Sequence, residues 1–384
     1  MKFCMGHRTW IEIHERAFAQ NLNALRSLLR PEAKFCAMVK GNAYGHGMLP
    51  IVSLAVKYGV NYFGVDEIED AIKIRRVFPN VVIIVFGYTI KENLIQAIDK
   101  NIQLTVYDKE TIQTLHTLTT QKGKPVSIHL KIDTGTSRQG ILLNQLKDYL
   151  DLLRTCPLIQ LEGISTHFAN VEQASDPSYS NLQFERFLQA KTSIFEYGFS
   201  PKYVHLACSA ALILYPDTHQ TLVRVGISLY GFWPSVEVEQ VIRRQHIDLN
   251  LEPILSWKTR IAQVKRLSRG TPIGYGLTEI LKQDSHVAIL PVGYWDGFDR
   301  SLSSCAEVLI GGHRCRVLGR VCMNMMMVDV SLVPHLEPEQ EVVLLGRQGR
   351  YSITAEDLAQ KIGTISYEVL TRINPLLPRV IIAS

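Results

Sequence analysis

The stretch FCAMVKGNAYGHG, Phe35–Gly47, is the most informative segment of this 384-residue chain, because it predicts a buried strand followed directly by a lysine. Its apolar run, Phe35–Val39, has the length of a buried β-strand and ends at Lys40, where a glycine-rich turn begins. A lysine at the end of a buried strand loses hydration, which lowers the pKa of its ammonium group and makes a nucleophilic amine available. An ordinary strand-end lysine that reaches water is the alternative. Lys40 is therefore a candidate for Schiff-base formation with a carbonyl cofactor.

Seven further β-rich runs follow Phe35–Val39, and most are separated by stretches long enough for a crossover helix. Eight strand–helix alternations in about 220 residues fit a (β/α)8 barrel better than an open doubly wound sheet. The chain also lacks the GxGxxG fingerprint of a dinucleotide-binding fold. The seven runs are Tyr62–Val65, Val81–Phe86, Gln103–Val106, Val126–Ile132, Gln160–Thr166, Tyr203–Ala207 and Leu222–Ile227.

The texture of the sequence changes after about residue 245. Four β-rich stretches with glycine and proline punctuation predict a mainly antiparallel β domain over residues 246–384, after a barrel over residues 14–245. An N-terminal strand within residues 1–13 is expected to join the β domain. Thr354 with Asp357 three residues later predicts one helix start in this domain. The β-rich stretches are Ser256–Leu267, His286–Val292, Glu307–Val330 and Glu341–Leu345.

Bulk composition excludes several classes of protein. The net charge of +5 arises from 41 basic and 36 acidic residues without a run of like charges, which argues against nucleic-acid and membrane-surface binding. Seven cysteines, an odd number without a CxxC pair, indicate a reducing compartment and argue against a zinc site. Without an N-terminal signal-like stretch or a membrane-length apolar window, we expect a soluble cytoplasmic protein.

Polar and charged side chains follow five of the predicted barrel strands. In a (β/α)8 barrel these strand ends meet at one face, where the chemistry takes place and where a phosphate site recurs after the last two strands. Each group has a plain alternative: a satisfied strand-end histidine, a solvated arginine or a loop-capping aspartate. Arg224 is harder to dismiss, because a buried arginine stays charged and must be paired. The groups are Lys40, Lys131, Asp133, Arg138, His167, Ser209 and Arg224, with Gly226 and Ile227 as small or backbone contributors to a phosphate site.

The segment PIGYGLTE in the predicted β domain places Tyr275 between two glycines. Glycine on each side lets the backbone bend sharply and exposes the ring. A surface hairpin turn is the alternative interpretation.

Nine segments, in sequence order and spanning both predicted domains, resemble the alanine racemase family from about residue 9 to residue 380. They are VKGNAYGHG, KIDTGTSRQGI, STHFAN, ACSAAL, LVRVGISLYG, PIGYGLTE, LPVGYWDGFDR, LGRVCMN and TISYEVLTRI. The resemblance implies a fold-type III pyridoxal-phosphate enzyme that interconverts L-alanine and D-alanine, supplying D-alanine for peptidoglycan. It also implies a homodimer in which active sites are shared between subunits.

The resemblance assigns roles to individual residues. Lys40 binds the cofactor and serves the D-face of the substrate, while Tyr275 is the base for the L-face and comes from the partner subunit. Arg224 hydrogen-bonds the pyridine nitrogen. Tyr275 needs nearby positive charge to act as a base at neutral pH, and His167 and Arg224 are the family's candidates for this support. The phosphate positions of the family match Tyr44, Ser209 and Tyr367.

The substrate carboxylate is expected to meet Arg138 and the backbone near Met323. Lys131 matches a lysine that is often carbamylated in the family, with the added negative charge orienting Arg138. Tyr294 and Tyr367 are expected to narrow the pocket in favour of alanine. Three positions depart from the common family pattern: Gly41, Cys208 and Asn324.

Three alternative functions are also compatible with a pyridoxal-phosphate-binding barrel. A racemase for serine or for a broader set of amino acids would use the same residues. An amino-acid decarboxylase usually pairs the cofactor nitrogen with a carboxylate, and Arg224 argues against it. A non-catalytic pyridoxal-phosphate carrier or regulator would lack the C-terminal β domain and Tyr275.

Overall fold

The computed structural model describes residues 6–383. Residues 1–5 of the predicted N-terminal strand and residue 384 of the predicted β domain lie outside this range. The chain divides into two compact units. The barrel unit comprises Phe18–Gly41 and Ile51–Glu252, and the β unit comprises the described residues up to Ala17, Asn42–Pro50 and the chain from Pro253 onward. The boundaries 14–245 and 246–384 stay a prediction about domains.

The strands have the following bounds: β1 (Thr9–His14), β2 (Lys34–Met38), β3 (Tyr62–Val65), β4 (Val82–Val85), β5 (Gln103–Val106), β6 (Val126–Lys131), β7 (Ile159–Ser165), β8 (Tyr203–His205), β9 (Leu222–Val225), β10 (Leu255–Arg260), β11 (Gln263–Leu267), β12 (Pro272–Ile273), β13 (Glu279–Ile280), β14 (Ser285–Leu290), β15 (Glu307–Ile310), β16 (His313–Leu318), β17 (Met326–Asp329), β18 (Glu341–Gln348), β19 (Tyr351–Ile353) and β20 (Arg379–Ile382).

The helices are α1 (Glu15–Ser27), α2 (Lys40–Tyr44), α3 (Met48–Lys57), α4 (Ile68–Val77), α5 (Leu94–Lys100), α6 (Lys109–Lys122), α7 (Leu146–Arg154), α8 (Ser178–Glu196), α9 (Ser209–Leu214), α10 (Val236–Arg244), α11 (Ala355–Ile362) and α12 (Ser366–Thr371). Short 3-10 turns occupy Lys91–Asn93, Leu143–Gln145, Pro216–Thr218, Ile227–Tyr230, Tyr275–Leu277, Tyr294–Asp296 and Arg300–Leu302.

Eight parallel strands form the barrel unit, in the order β8-β7-β6-β5-β4-β3-β2-β9. The two ends of this order are joined by backbone hydrogen bonds from Thr221 N–H to the Val204 carbonyl at 3.1 Å and from Arg224 N–H to the Ala207 carbonyl at 3.0 Å. The sheet is therefore a nearly closed barrel. Each of the eight predicted strands overlaps an observed strand to within two residues at either end, which confirms the predicted barrel.

The β unit is built around a ten-stranded sheet with the order β11-β14-β17-β16-β15-β18-β10-β1-β20, and β19 pairs with β18. Its pairings are antiparallel except that of β1 with β20, which is parallel. Strand β1 lies between β10 and β20 and is buried along most of its length. The predicted mainly antiparallel second domain is thus confirmed as a fold class.

Local sequence explains several element ends. Helix α11 begins with a capping box, in which Asp357 N–H donates to Thr354 Oγ1 at 3.1 Å and Thr354 N–H donates to Asp357 Oδ2 at 2.9 Å. This confirms the helix start predicted from these two residues. Asp108 caps α6 by accepting the Thr111 N–H at 2.7 Å. Such caps satisfy backbone donors that a helix cannot pair internally.

No helix within residues 6–383 is long and apolar enough to cross a membrane.

Candidate active site

The carboxyl ends of the barrel strands carry the charged groups that the sequence singled out. Lys40 lies two residues after β2, Lys131 ends β6, His167 lies two residues after β7, and Arg224 lies within β9. Parallel strands of a barrel direct these ends to one face. The structure therefore brings the predicted barrel residues together on this face, with Arg138 on the loop after β6 and Ser209 at the start of α9.

Lys40 is half-buried within a cationic surrounding. Burial lowers the pKa of its ammonium group, and the charges of Arg138 and Arg224 lower it further, while Asp66 opposes the change. A larger fraction of this lysine is thus a neutral amine near neutral pH than in free lysine. That is the protonation state required of a nucleophile or a general base.

Arg224 is buried, and none of its hydrogen-bond acceptors within the described chain is a carboxylate. Its Nη1 donates to His205 Nδ1 at 2.8 Å, and its Nη2 donates to the carbonyls of Thr166 at 2.9 Å and Leu206 at 3.1 Å. Nη2 also lies 3.3 Å from His167 Nδ1. Burial lowers the pKa of the Arg224 guanidinium to about 10. The guanidinium is held in place by neutral acceptors, and its charge remains available to an anion or a lone pair.

A chain of two histidines continues from Arg224 into the barrel interior. His205 Nε2 lies 2.8 Å from His129 Nδ1, and His129 Nε2 lies 2.7 Å from Gln103 Oε1. Because arginine can only donate, His205 Nδ1 must accept; its Nε2 then donates to His129, which donates to Gln103. Every hydrogen bond of the chain therefore runs in one direction away from Arg224.

Burial also keeps both histidines uncharged. It lowers the pKa of His129 to about 3 and that of His205 well below its usual range, and the charge of Arg224 adds to each change. Gly163 makes room for the His129 ring, since a Cβ at position 163 would lie 2.1 Å from His129 Nδ1. His129, His205 and Gln103 were not among the residues predicted from the sequence. The available signal was a pair of histidines inside otherwise apolar strands, with Gly163 opposite His129 on the neighbouring strand.

Lys131 is buried among like charges. Burial lowers the pKa of its ammonium group well below the usual value, with Arg224, Arg138 and Lys40 adding to the change and Asp133 opposing it. A lysine in this setting is readily present as the neutral amine.

Asp133 has a structural role in the loop after β6. Its Oδ1 accepts the backbone N–H groups of Gly135, Thr136 and Ser137 at 2.9, 3.0 and 3.1 Å. The side chain thus shapes the loop that carries Arg138, whose own side chain is exposed. Asp133 therefore has the loop-capping role that was the alternative to a chemical one.

Small hydroxyl residues and backbone N–H groups meet where β8 and β9 end. Ser209 Oγ accepts the Gly226 N–H at 3.0 Å, and Ser228 Oγ is buried without a hydrogen-bond partner within the described chain. Ile227, between Gly226 and Ser228, is buried as well. An orphaned hydroxyl beside a serine whose own hydrogen is free to donate fits a phosphate group.

The turn after Lys40 has an uncommon backbone. Residues Asn42, Ala43 and Tyr44 have φ values of 54°, 55° and 52°, between Gly41 at 59° and Gly45 at 84°. A left-handed conformation costs an L-residue about 1–2 kcal/mol, so three such residues in a row require support from their surroundings. In the β unit the Tyr44 ring lies 6.1 Å from the ring of Tyr367, measured between centroids.

The remaining predicted residues lie on an exposed face of the β unit. Tyr275, Tyr294 and Met323 line a common depression together with Arg320 and Asn324. Tyr275 has 73% of its surface exposed. No group of three or more potential metal ligands occurs within residues 6–383.

Two family models match the chain over most of its length. One, described as alanine racemase, N-terminal domain, matches residues 13–234, and one described as alanine racemase, C-terminal domain, matches residues 254–381. An alanine racemase of Leptospira interrogans is 38% identical over 381 residues, which cover 98% of this chain and 96% of that protein.

Solved structures show the same similarity. An alanine racemase of Clostridium difficile superposes with a TM-score of 0.92 at 32% identity, covering 99% of this chain and 97% of that chain. A histidine racemase of Leuconostoc mesenteroides superposes with a TM-score of 0.89 at 25% identity, covering 99% of each chain. The matched models, the full-length relatives and the arrangement of the barrel face together show that this chain belongs to the alanine racemase family.

Proposed function

We propose that this protein interconverts L-alanine and D-alanine, with pyridoxal 5'-phosphate as its cofactor. Two neighbouring groups on the barrel face support this proposal. Lys40 is an amine with a lowered pKa, and Arg224 is a buried guanidinium that donates hydrogen bonds only to neutral groups. When bound, the cofactor supplies an electron-accepting ring that makes the α-proton of an amino acid removable.

The residues on the barrel face fit this cofactor. Lys40 is the amine that would attach to its aldehyde carbon through Nζ. Ser209 with the backbone around Gly226 and Ile227 would bind the phosphate, and the buried, orphaned Ser228 hydroxyl supports an anion at this position. We further assign Tyr44 and Tyr367 to the phosphate. His167, whose Nδ1 lies 3.3 Å from Arg224 Nη2, is assigned with Arg224 to the support of Tyr275.

Arg224 distinguishes this reaction from other reactions of the same cofactor. A guanidinium donates hydrogen bonds and does not readily give up a proton. A pyridine nitrogen held by Arg224 would accept a hydrogen bond and stay unprotonated, which would limit the electron withdrawal of the ring. Limited withdrawal suits proton removal and return at one carbon, and it disfavours the decarboxylase alternative.

Inversion of the α-carbon requires one proton-transfer group on each side. We assign the D-face to Lys40, whose lowered pKa lets Nζ accept a proton near neutral pH. We assign the L-face to Tyr275 Oη. Tyr275 is exposed on the β unit, and we propose that it acts in the site of the partner subunit of a homodimer.

The substrate carboxylate is assigned to Arg138 and the backbone near Met323. Lys131 lies buried beside this arginine, with a neutral amine favoured by its surroundings, and we propose that it is carbamylated. The neutral amine would bond to CO2 through Nζ and release a proton, and the negative charge of the resulting carbamate would orient Arg138. Mass spectrometry of the gently handled protein should show the mass of one added CO2 on the peptide containing Lys131, and its absence there would refute this assignment.

Proton NMR in heavy water tests the reaction itself. With L-alanine and the cofactor-loaded protein, we expect the α-proton signal to disappear while chiral analysis shows a drift toward equal amounts of L- and D-alanine. Borohydride reduction followed by peptide mapping should place the pyridoxyl group on Lys40. Bound cofactor without exchange for any amino acid tried would support the carrier alternative instead.

A racemase of broader specificity is the second candidate, because one similar structure is a histidine racemase. Tyr294 and Tyr367 are bulky residues that we assign to the pocket, and they favour a small side chain. Turnover of histidine, lysine or serine at rates comparable to alanine would favour this second candidate.

A further inference from the structure

The left-handed turn Gly41–Gly45 is held by hydrogen bonds to its carbonyl groups. Gly47 N–H donates to the Asn42 carbonyl at 2.9 Å, and His46 N–H donates to the Ala43 carbonyl at 3.0 Å. The ring Nδ1 of His46 lies 3.0 Å from the Ala43 carbonyl and 2.9 Å from the Tyr44 carbonyl. Since carbonyls only accept, Nδ1 is the protonated ring nitrogen. These bonds all come from residues within the turn or directly after it.

Arg379, far along the chain, also donates hydrogen bonds to this turn. Its Nη2 and Nε donate to the Gly45 carbonyl at 2.9 and 3.3 Å. Its Nη1 donates to the carbonyls of Asn374 at 2.7 Å and Leu377 at 2.6 Å. The planar, rigid guanidinium therefore ties the strained turn to the segment before β20 without a carboxylate as intermediary.

The turn is closely packed at Gly45, so its backbone has little room to change conformation. A Cβ on Gly45 would lie 2.0 Å from the Leu370 carbonyl oxygen, so the turn packs directly against the end of α12. The same helix carries Tyr367, whose ring is the neighbour of Tyr44. A turn that relaxed from its left-handed conformation would move the Tyr44 ring away from Tyr367.

We propose that Arg379 is a positioning residue that holds Tyr44 in its left-handed conformation, so that the Tyr44 hydroxyl meets the cofactor phosphate. Arg379 itself touches neither substrate nor cofactor. This inference rests on the proposed function, because it deepens the assignment of Tyr44 to the phosphate of pyridoxal 5'-phosphate.

Two ligands distinguish an effect of Arg379 on the phosphate contact from an effect on the stability of the whole fold. They are pyridoxal 5'-phosphate and pyridoxal, which lacks the phosphate. Dissociation constants of both are measured by titration of the full-length protein after cofactor removal. For Arg379→Met we expect about tenfold weaker binding of the phosphorylated ligand, the size expected for one lost charge-assisted hydrogen bond. Pyridoxal binding should change by less than about twofold. Arg379→Lys keeps the charge but loses the planar guanidinium. Its affinity for the phosphorylated ligand should therefore lie between those of wild type and Arg379→Met.

Arg75 provides a matched control. Its guanidinium also donates only to backbone carbonyls, those of Lys100, Pro79, Val81 and Asn101, at 2.7–3.1 Å, but it lies on α4 of the barrel unit. Arg75→Met removes an equivalent set of bonds and should leave the ratio of the two dissociation constants unchanged. Equal weakening of both ligands by Arg379→Met would reduce Arg379 to a structural residue and overturn the inference.

Ala43→Gly supplies an independent test, because glycine adopts a left-handed conformation without steric cost. In the Arg379→Met background this change should restore most of the lost affinity for the phosphorylated ligand. Absence of any rescue would overturn the inference even if the single variant behaved as expected. A wild-type protein that binds neither ligand at Lys40 would instead refute the proposed function, and the inference with it.

Discussion

The two units surround their candidate proton-transfer groups in different ways. In the barrel unit Lys40 faces Arg138 and Arg224, and a one-directional chain of hydrogen bonds fixes Arg224 from behind. In the β unit Tyr275 lies exposed among exposed apolar side chains. Proton transfer at carbon requires groups that are held still and shielded from water. The barrel unit holds Arg224 beside its proton-transfer group through its own hydrogen bonds, whereas Tyr275 of the β unit is 73% exposed.

The exposed face of the β unit has the composition of an interface. Large apolar side chains rarely cluster on the surface of a monomer unless they bind something. Tyr294, Met323 and Met325 are exposed and line the same depression as Tyr275, and exposed Leu277 lies on the same short turn. Their exposure supports the proposal that a second copy of the chain completes the site.

The largest expected effect comes from removing either proton-transfer group. Lys40→Ala and Tyr275→Phe should each lower the racemisation rate by about 10³–10⁴-fold, at the upper range for a general acid or base. Chiral chromatography of the product measures both. Retention of more than a tenth of the activity by either variant would contradict the assignment of one group to each face.

Acid should weaken both units, because each buries a neutral histidine. The pKa values of His129 in the barrel unit and His46 in the β unit are lowered to about 3 by burial. Below the usual value of 6.5, the unfolded chain binds protons that these rings cannot bind in the folded state. The free energy of unfolding should therefore fall with decreasing pH, by about 1.4 kcal/mol per pH unit for each histidine.

Urea unfolding between pH 7 and pH 5 measures this slope. His129→Gln and His46→Gln should each reduce it, because glutamine keeps polar groups but does not titrate in this range. A slope that is the same in wild type and in both variants would show that these rings do not govern acid stability.

Gly163→Ala tests the close approach of β7 to the His129 ring in the barrel interior. The added methyl group would lie 2.1 Å from His129 Nδ1, and such overpacking typically costs about 1–3 kcal/mol. In the His129→Ala background the same change should cost much less, since the clashing ring is gone. Additive costs in this double-mutant cycle would contradict the close approach as the cause.

A charge on the exposed face of the β unit should weaken self-association. Met325→Glu places a carboxylate among the apolar residues around Tyr275, and we expect the dimer dissociation constant to rise about tenfold. Analytical ultracentrifugation measures it. Val77→Glu, at an exposed apolar position on α4 of the barrel unit, is the control and should leave the constant unchanged. Equal effects of the two substitutions would argue against this face as the interface.

Most of the fold was predictable because it depends on local patterns. Short β-rich runs, most of them separated by stretches long enough for a helix, marked all eight barrel strands, and Thr354 with Asp357 marked the start of α11. Lys40 and His167 could be singled out because each follows a buried run directly. Strand ends are informative in this fold since parallel strands direct them to one face.

The supporting residues were not predictable, because they depend on contacts between distant segments. His129 and His205 resemble core positions within their strands, and only the closed barrel brings one ring against the other. The left-handed turn after Lys40 leaves no periodic signal, and the contact of Arg379 with Gly45 spans most of the chain. Sequence spacing gives the side of a strand on which a residue lies, but it does not give the neighbour across the barrel.

Mixing two inactive variants tests the central comparison most directly. Lys40→Ala and Tyr275→Phe protein are combined, dissociated and reassociated, and alanine racemisation is measured. If each site uses Lys40 of one subunit and Tyr275 of its partner, hybrid dimers hold one intact site, and the mixture should regain about one quarter of wild-type activity. If both groups act within one chain, no hybrid contains an intact site, and a mixture as inactive as its components would contradict the account.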